Sequence, residues 1–109
     1  MTTTEALQEA KALLMEKGWV QGREVDERGR HCTYGAVREV VGRVLHEDIN
    51  AAVGYIARAA SSRNIGCCPA CAIAPWNDTP GRTFNEVMKA FDAAIILSKE
   101  DAASEKGQR

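Results

Sequence analysis

The chain has 109 residues, 45% of them hydrophobic, and a net charge of −1 from 14 basic and 15 acidic side chains. That length predicts one domain with a modest core, and the hydrophobic share excludes a chain disordered throughout. Basic and acidic residues are interspersed, without the basic stripe of a nucleic-acid binder, and no apolar run approaches the roughly 20 residues of a membrane helix.

The first predicted element is a helix capped by Thr4 and running to Lys17. Its apolar positions Ala6, Leu7, Ala10, Leu13 and Leu14 follow the i, i+3, i+4, i+7 rule, and Gly18 stands where a C-terminal glycine belongs. Residues 19–32 lose that period. Trp19, Gln21 and Arg23 alternate with Val20, Gly22 and Glu24 ahead of a polar Asp26-Glu27-Arg28-Gly29 turn, which predicts a short β-hairpin or an extended loop. Two strands alone are marginal in water, so this segment must lean on the helices, with Trp19 as its anchor.

Thr33 is the expected cap of a second helix, with Tyr34, Val37, Val40, Val41, Val44 and Leu45 on one stripe. Gly35 and Ala36 are small enough there for another backbone to approach. A third helix is expected from an Asp48 cap to about Ser61, turning Ile49, Ala52, Val53, Ile56, Ala59 and Ala60 inward, with residues 61–64 as its exit. Residues 65–75 are apolar but carry Pro69, Pro75 and Gly66, which predicts an irregular, partly buried loop.

Residues 76–86, Trp-Asn-Asp-Thr-Pro-Gly-Arg-Thr-Phe-Asn-Glu, hold the densest local signals. Asn77 and Asp78 are suited to an Asx turn, Pro80-Gly81 to the centre of a type II turn, and Thr83 with Glu86 to a capping box. A fourth helix follows from about Phe84 to Ser98, with Phe84, Val87, Met88, Phe91, Ala94, Ile95 and Ile96 on its core face. Residues 99–109 form a polar tail. The expected architecture is a mostly α, four-helix compact domain over residues 1–98, with a short β-hairpin or extended loop between helices 1 and 2. Trp19 and Trp76 are expected over the same core.

The N-terminus lacks a basic segment followed by an apolar run, so no secretory signal is read there and the expected location is cytoplasmic. Thiols stay reduced in that compartment, so the cysteines are weighed as thiols or metal ligands before disulfides. Cys68 and Cys71 have the C-x-x-C spacing of a zinc half-site. Cys67 is a candidate third ligand, and Cys32, His31 or His46 a fourth. A convincing zinc signature has two such pairs and this sequence has one. The competing reading is three small side chains packed in a buried loop.

The same C-x-x-C read as a redox dithiol lacks a surrounding βαβ pattern. Cys32 with His31 or His46 is a nucleophile–base pair on paper, against a plain core cysteine at a helix edge. Asp78 and Arg82 flank a tight turn, where they form an ion pair or, with Trp76 and Asn77, a polar binding surface. No glycine spacing matches a phosphate loop.

These features in order resemble a family of small uncharacterised proteins from actinobacteria and their phages, classed as a domain of unknown function. The likeness rests on Leu13-Leu14, Gly18-Trp19 and Gln21-Gly22, then Gly29-Arg30, Cys32 and Gly35-Ala36. Its most specific part is Trp76-Asn77-Asp78 with Gly81-Arg82-Thr83 and Glu86-Val87. The resemblance brings no activity and lends no catalytic residues. It implies a bacterial or phage cytoplasmic setting, and the run from Cys67 to Cys71 looks like a departure from the family pattern.

Two functions are then expected. The first is a non-enzymatic protein-binding accessory protein using Trp76, Asn77, Asp78 and Arg82. Its partner is a host protein if the chain is phage-encoded, or a second copy of itself; neither nucleic acid nor membrane is expected. The alternative is a small zinc protein using Cys67, Cys68 and Cys71; otherwise no cofactor is expected.

Overall fold

Helix α1, Thr3–Lys17, begins earlier than its sequence suggests because only Thr2 finds a reciprocal partner three residues on. The Thr2 hydroxyl accepts from the Glu5 amide at 3.1 Å, and the Glu5 carboxylate accepts from the Thr2 amide at 2.8 Å. Thr4, the expected cap, has Leu7 at that spacing, which cannot reciprocate. Its hydroxyl instead lies 2.7 Å from that of Ser98, tying the first helix to the last. The computed structural model describes residues 2–42, 46–60 and 69–107.

Four further helices follow: α2, Thr33–Val41; α3, His46–Ala59; α4, Pro69–Asn77; and α5, Phe84–Gly107. The mostly helical expectation holds, with five helices among the described residues in place of four. The extra one is α4, in the stretch read as an irregular loop. Pro69 opens it, where a missing amide costs nothing. Pro75 sits only two residues from its end, so within nine residues it removes a single backbone bond. Ala72 and Ile73 are buried, and the helix packs on α2 and α3.

The caps of α2 and α3 also differ from expectation. Cys32 caps α2, its sulfur accepting from the Gly35 amide at 3.2 Å, and this frees the Thr33 side chain for a tertiary contact. Helix α3 starts at His46, so Asp48 lies inside its first turn. Val44, Leu45 and the expected exit at 61–64 lie outside the described residues.

Residues 18–32 take the extended-loop alternative, with isolated bridges in place of a two-stranded hairpin. His31 bridges Trp19 on one side and Val25 on the other, so its short extended segment lies between two others as isolated bridges. The amide of Val20 donates to the His31 carbonyl at 3.0 Å, that of His31 to Gly18 at 3.1 Å, and that of Cys32 to Glu24 at 2.9 Å. Asp26 folds the tip: one carboxylate oxygen accepts from the Arg28 and Arg30 amides, and the other from the Arg30 guanidinium at 2.6 Å. Gly35 explains how the loop sits so close to α2. A Cβ there would overlap the Glu24 carbonyl oxygen.

The core gathers one face from each helix: Leu7, Ala10 and Leu14; Ala36 and Val37; Ile49, Ala52, Val53 and Ile56; Ile73; Val87, Ala90, Phe91 and Ala94. Trp19 and Trp76 both pack against it, as expected. Helix α5 spans 24 residues and continues its period well past Ser98 into the polar segment. Asp101 holds it to α3, accepting from the Tyr55 hydroxyl at 2.7 Å and lying 3.7 Å from the Arg58 guanidinium. Among the described residues, no helix is long and apolar enough to cross a membrane.

Candidate functional site

Asn77, the last residue of α4, is 1% exposed, and its side chain organises the segment around it. Its carboxamide oxygen accepts from the Trp19 indole at 2.7 Å, the Thr33 amide at 3.0 Å and the Thr33 hydroxyl at 2.7 Å. Its nitrogen donates to the Val20 carbonyl at 3.2 Å and to Asp78 Oδ1 at 2.9 Å. The expected Asx turn therefore does not form. A local turn would have left the indole, the Thr33 hydroxyl and two backbone groups without partners beside the core, a larger cost than the one local bond gained.

Neighbouring groups extend the same seam. Gln21 Nε2 donates to the carbonyls of Asn77 at 3.0 Å and Thr79 at 2.9 Å, and the Gly22 amide donates to Asp78 Oδ1 at 2.9 Å. Residues 19–22 are thus fastened along residues 77–79.

The turn that follows matches its sequence signals. The Arg82 amide donates to the Thr79 carbonyl at 3.0 Å, and Gly81 at φ 85° supplies the positive φ of a type II turn. Thr83 and Glu86 form the expected capping box through bonds of 2.8 and 3.2 Å. The Asp78–Arg82 ion pair is absent, because each residue has a nearer partner. Arg82 lies 4.4 Å over the Trp76 ring, donates to the Trp76 carbonyl at 3.0 Å and reaches Glu86 at 3.3 Å.

A cleft of about 300 Å³ opens between the loop and the end of α4, lined by Gly22, Arg23, Glu24, Cys32, Tyr34, Ala74, Asn77 and Asp78. Of the four residues proposed from sequence as a binding surface, Asn77 and Asp78 line it; Trp76 and Arg82 instead brace the turn behind it. Glu24 is held by the Arg38 guanidinium at 2.8 Å. Asp78 Oδ1 is held by two N–H donors, and its other oxygen makes no hydrogen bond or ion pair among the described residues. Sequence reasoning missed Gly22, Arg23, Glu24, Tyr34 and Ala74. Their only shared signal is position on segments that the fold later brings together.

Cys32 lies in this cleft, 8% exposed. Burial pushes its thiol pKa up, the Gly35 and Tyr34 amides pull it back, and the carboxylates of Glu24 and Asp78 push it up again. The net direction is upward, which leaves little thiolate, and the sulfur is already occupied as a cap. The pairing with His31 as base does not form: His31 Nδ1 is buried without a hydrogen-bond partner, and the Cys32 sulfur accepts from the Gly35 amide instead. The His46 side chain lies outside the described residues.

Cys67 and Cys68 lie outside the described residues, and Cys71 falls on α4. Among the described residues, no three His, Cys, Asp or Glu side chains are placed to hold a metal ion.

The model of a family of unknown function, DUF6197, matches residues 1–97. The chain belongs to that family. The match runs from the cap of α1 into α5, so the seam around Asn77 and the cleft both fall inside the family's domain. No curated protein and no solved structure matches the chain.

Proposed function

We propose that this DUF6197 chain is a protein-binding domain without catalytic chemistry of its own, and that its contact face is the cleft beside Asn77. The observation that carries this reading is the hydrogen-bonded seam that builds that cleft's wall. The Asn77 side chain joins α4, α2 and the loop through five hydrogen bonds, counted from its described partners. A preorganised concavity binds without first being ordered, which removes one of the main costs of association. The raised pKa and capping role of Cys32 favour binding over thiol catalysis in the same cleft. The family likeness read from the sequence includes phage proteins, and a bacterial host protein is the partner that setting suggests.

This reading revises the surface expected from sequence. Asn77 is too buried to meet a partner, and Trp76 and Arg82 act by bracing the turn. The test is quantitative capture of bacterial proteins on the immobilised full chain, compared with Ala74→Trp, which fills the cleft from an exposed position of α4. Met15→Ser, an exposed change on α1, serves as control. A specific partner should be retained by the control and lost by Ala74→Trp, with both variants melting as the parent does. Equal retention by Ala74→Trp would reject the cleft as the contact face, and no specific partner at micromolar bait would reject the binding role.

A further inference from the structure

The cleft's chemistry narrows what enters it. Its walls combine apolar surface from Tyr34, Ala74 and Cys32 with two carboxylates, Glu24 and Asp78. The carboxylates are not equivalent. Glu24 is neutralised by Arg38 at 2.8 Å. Asp78 is oriented by two N–H donors on one oxygen, and its second oxygen is left without an ionic partner among the described residues. The one cation of the lining, Arg23, also lines the adjoining depression, together with Asp26, Glu27, Arg28 and Arg30, and it forms no ion pair with Asp78. Cys32, in the same lining, lies close enough to both carboxylates that, after burial, Glu24 and Asp78 each raise its proton affinity.

We propose that the cleft receives one cationic side chain, an arginine or lysine, of the protein partner; this rests on the binding reading above. The volume of about 300 Å³ suits a single long side chain. Such a side chain has an apolar stem to lie on Tyr34 and Ala74 and a charged head to meet Asp78, and it matches both halves of the lining. A neutral apolar side chain would leave the Asp78 carboxylate partly desolvated without compensation. An acidic one would face like charge.

The experiment is an amide NMR titration of the full chain with N-acetyl-arginine amide and N-acetyl-lysine amide, whose blocked ends leave only the side-chain charge. The neutral counterparts are N-acetyl-citrulline amide and N-acetyl-norleucine amide. The cationic probes should shift the amides of Gly22, Glu24, Tyr34 and Asp78 and bind about tenfold tighter than their neutral counterparts. Added salt should weaken them. Asp78→Asn keeps the oxygen that accepts from Gly22, so it should hold the fold and abolish the preference. Equal binding of neutral probes, no cleft shifts with any probe, or an undiminished preference in Asp78→Asn would each overturn the proposal. If the proposal fails while partner capture still depends on Ala74, the cleft binds a partner by other chemistry. If capture is also indifferent to Ala74→Trp, the cleft falls as the contact face and this proposal falls with it.

Discussion

Replacing Asn77 by Ala would strip the acceptor from three donors at once, the Trp19 indole and the Thr33 amide and hydroxyl, and would leave the Val20 carbonyl without its donor. Buried polar groups left unpaired cost roughly 1–3 kcal/mol each, so the expected loss is at least about 3 kcal/mol in a urea titration. A loss below about 1 kcal/mol would mean that the seam closes around other partners and that Asn77 is not its organiser. The same residue shows where local reading stops. Asn before Asp ahead of Pro-Gly is good turn chemistry, and the turn does form. Yet the side chain that looked local reaches residues 44 and 58 positions away. A short polar side chain takes whichever partners are otherwise stranded, and which groups are stranded is a tertiary fact. Gly35 is the converse case. A small residue at that point of the sequence announces a close backbone approach, and Glu24 makes it.

Two helix starts and the tip of the 18–32 loop carry the pH dependence among the described residues. The Glu5 carboxyl lies below the ordinary carboxylate range, chiefly because it accepts from the Thr2 amide and then the Thr2 hydroxyl. Glu86 is lowered in the same way by Thr83, with Arg82 adding to it against some burial. For Asp26, burial pushes upward, and bonds from Arg30 and Arg28 outweigh it. All three have folded pKa values below their unfolded ones. Their stabilisation is therefore full above the usual carboxylate range and is lost as pH falls through it, from about pH 5 downward. Urea midpoints measured from pH 7 to pH 3 should fall steeply in the parent and much less in a Glu5→Gln, Asp26→Asn, Glu86→Gln triple variant. A triple variant that loses as much over that interval would place the acid sensitivity elsewhere. Both capping boxes follow one spacing rule, and of the three consecutive threonines only Thr2 has a glutamate three residues on. Helix α4 escaped notice for a related reason. Two prolines suggest a break, but the first stands at the helix start, where it fits, and the second costs one backbone bond two residues before the end.

Over the whole molecule, α5 links the parts: it packs on α1 through Thr4–Ser98 and the Lys11–Asp92 pair at 2.6 Å, and on α3 through Tyr55–Asp101. Just past Asp101 the side chains of Ala102 and Ala103 are exposed, and the Asp101–Arg58 pair is half exposed, Arg58 at 61% and Asp101 at 49%. Truncation after Glu100 should therefore cost under about 1 kcal/mol in thermal or urea unfolding, as exposed ion pairs do. A loss of several kcal/mol would make the polar end a structural part of the core assembly. The cleft belongs to the same level of organisation. Its lining comes from three separate stretches, residues 22–24, 32–34 and 74–78, none of which looks like a binding motif by itself.

Amphipathic period, the Thr83–Glu86 capping box, the Pro80-Gly81 turn and the glycine ending α1 are all legible in the residues themselves. Each depends on neighbours within four positions, where backbone geometry alone decides the partner. The fate of residues 18–32, the purpose of Asn77, the cap made by Cys32 and the existence of the cleft were decided only by tertiary structure. In each of these, a polar or small side chain chose between a near partner and a distant one. That choice was set by which groups the packed core had already cut off from water.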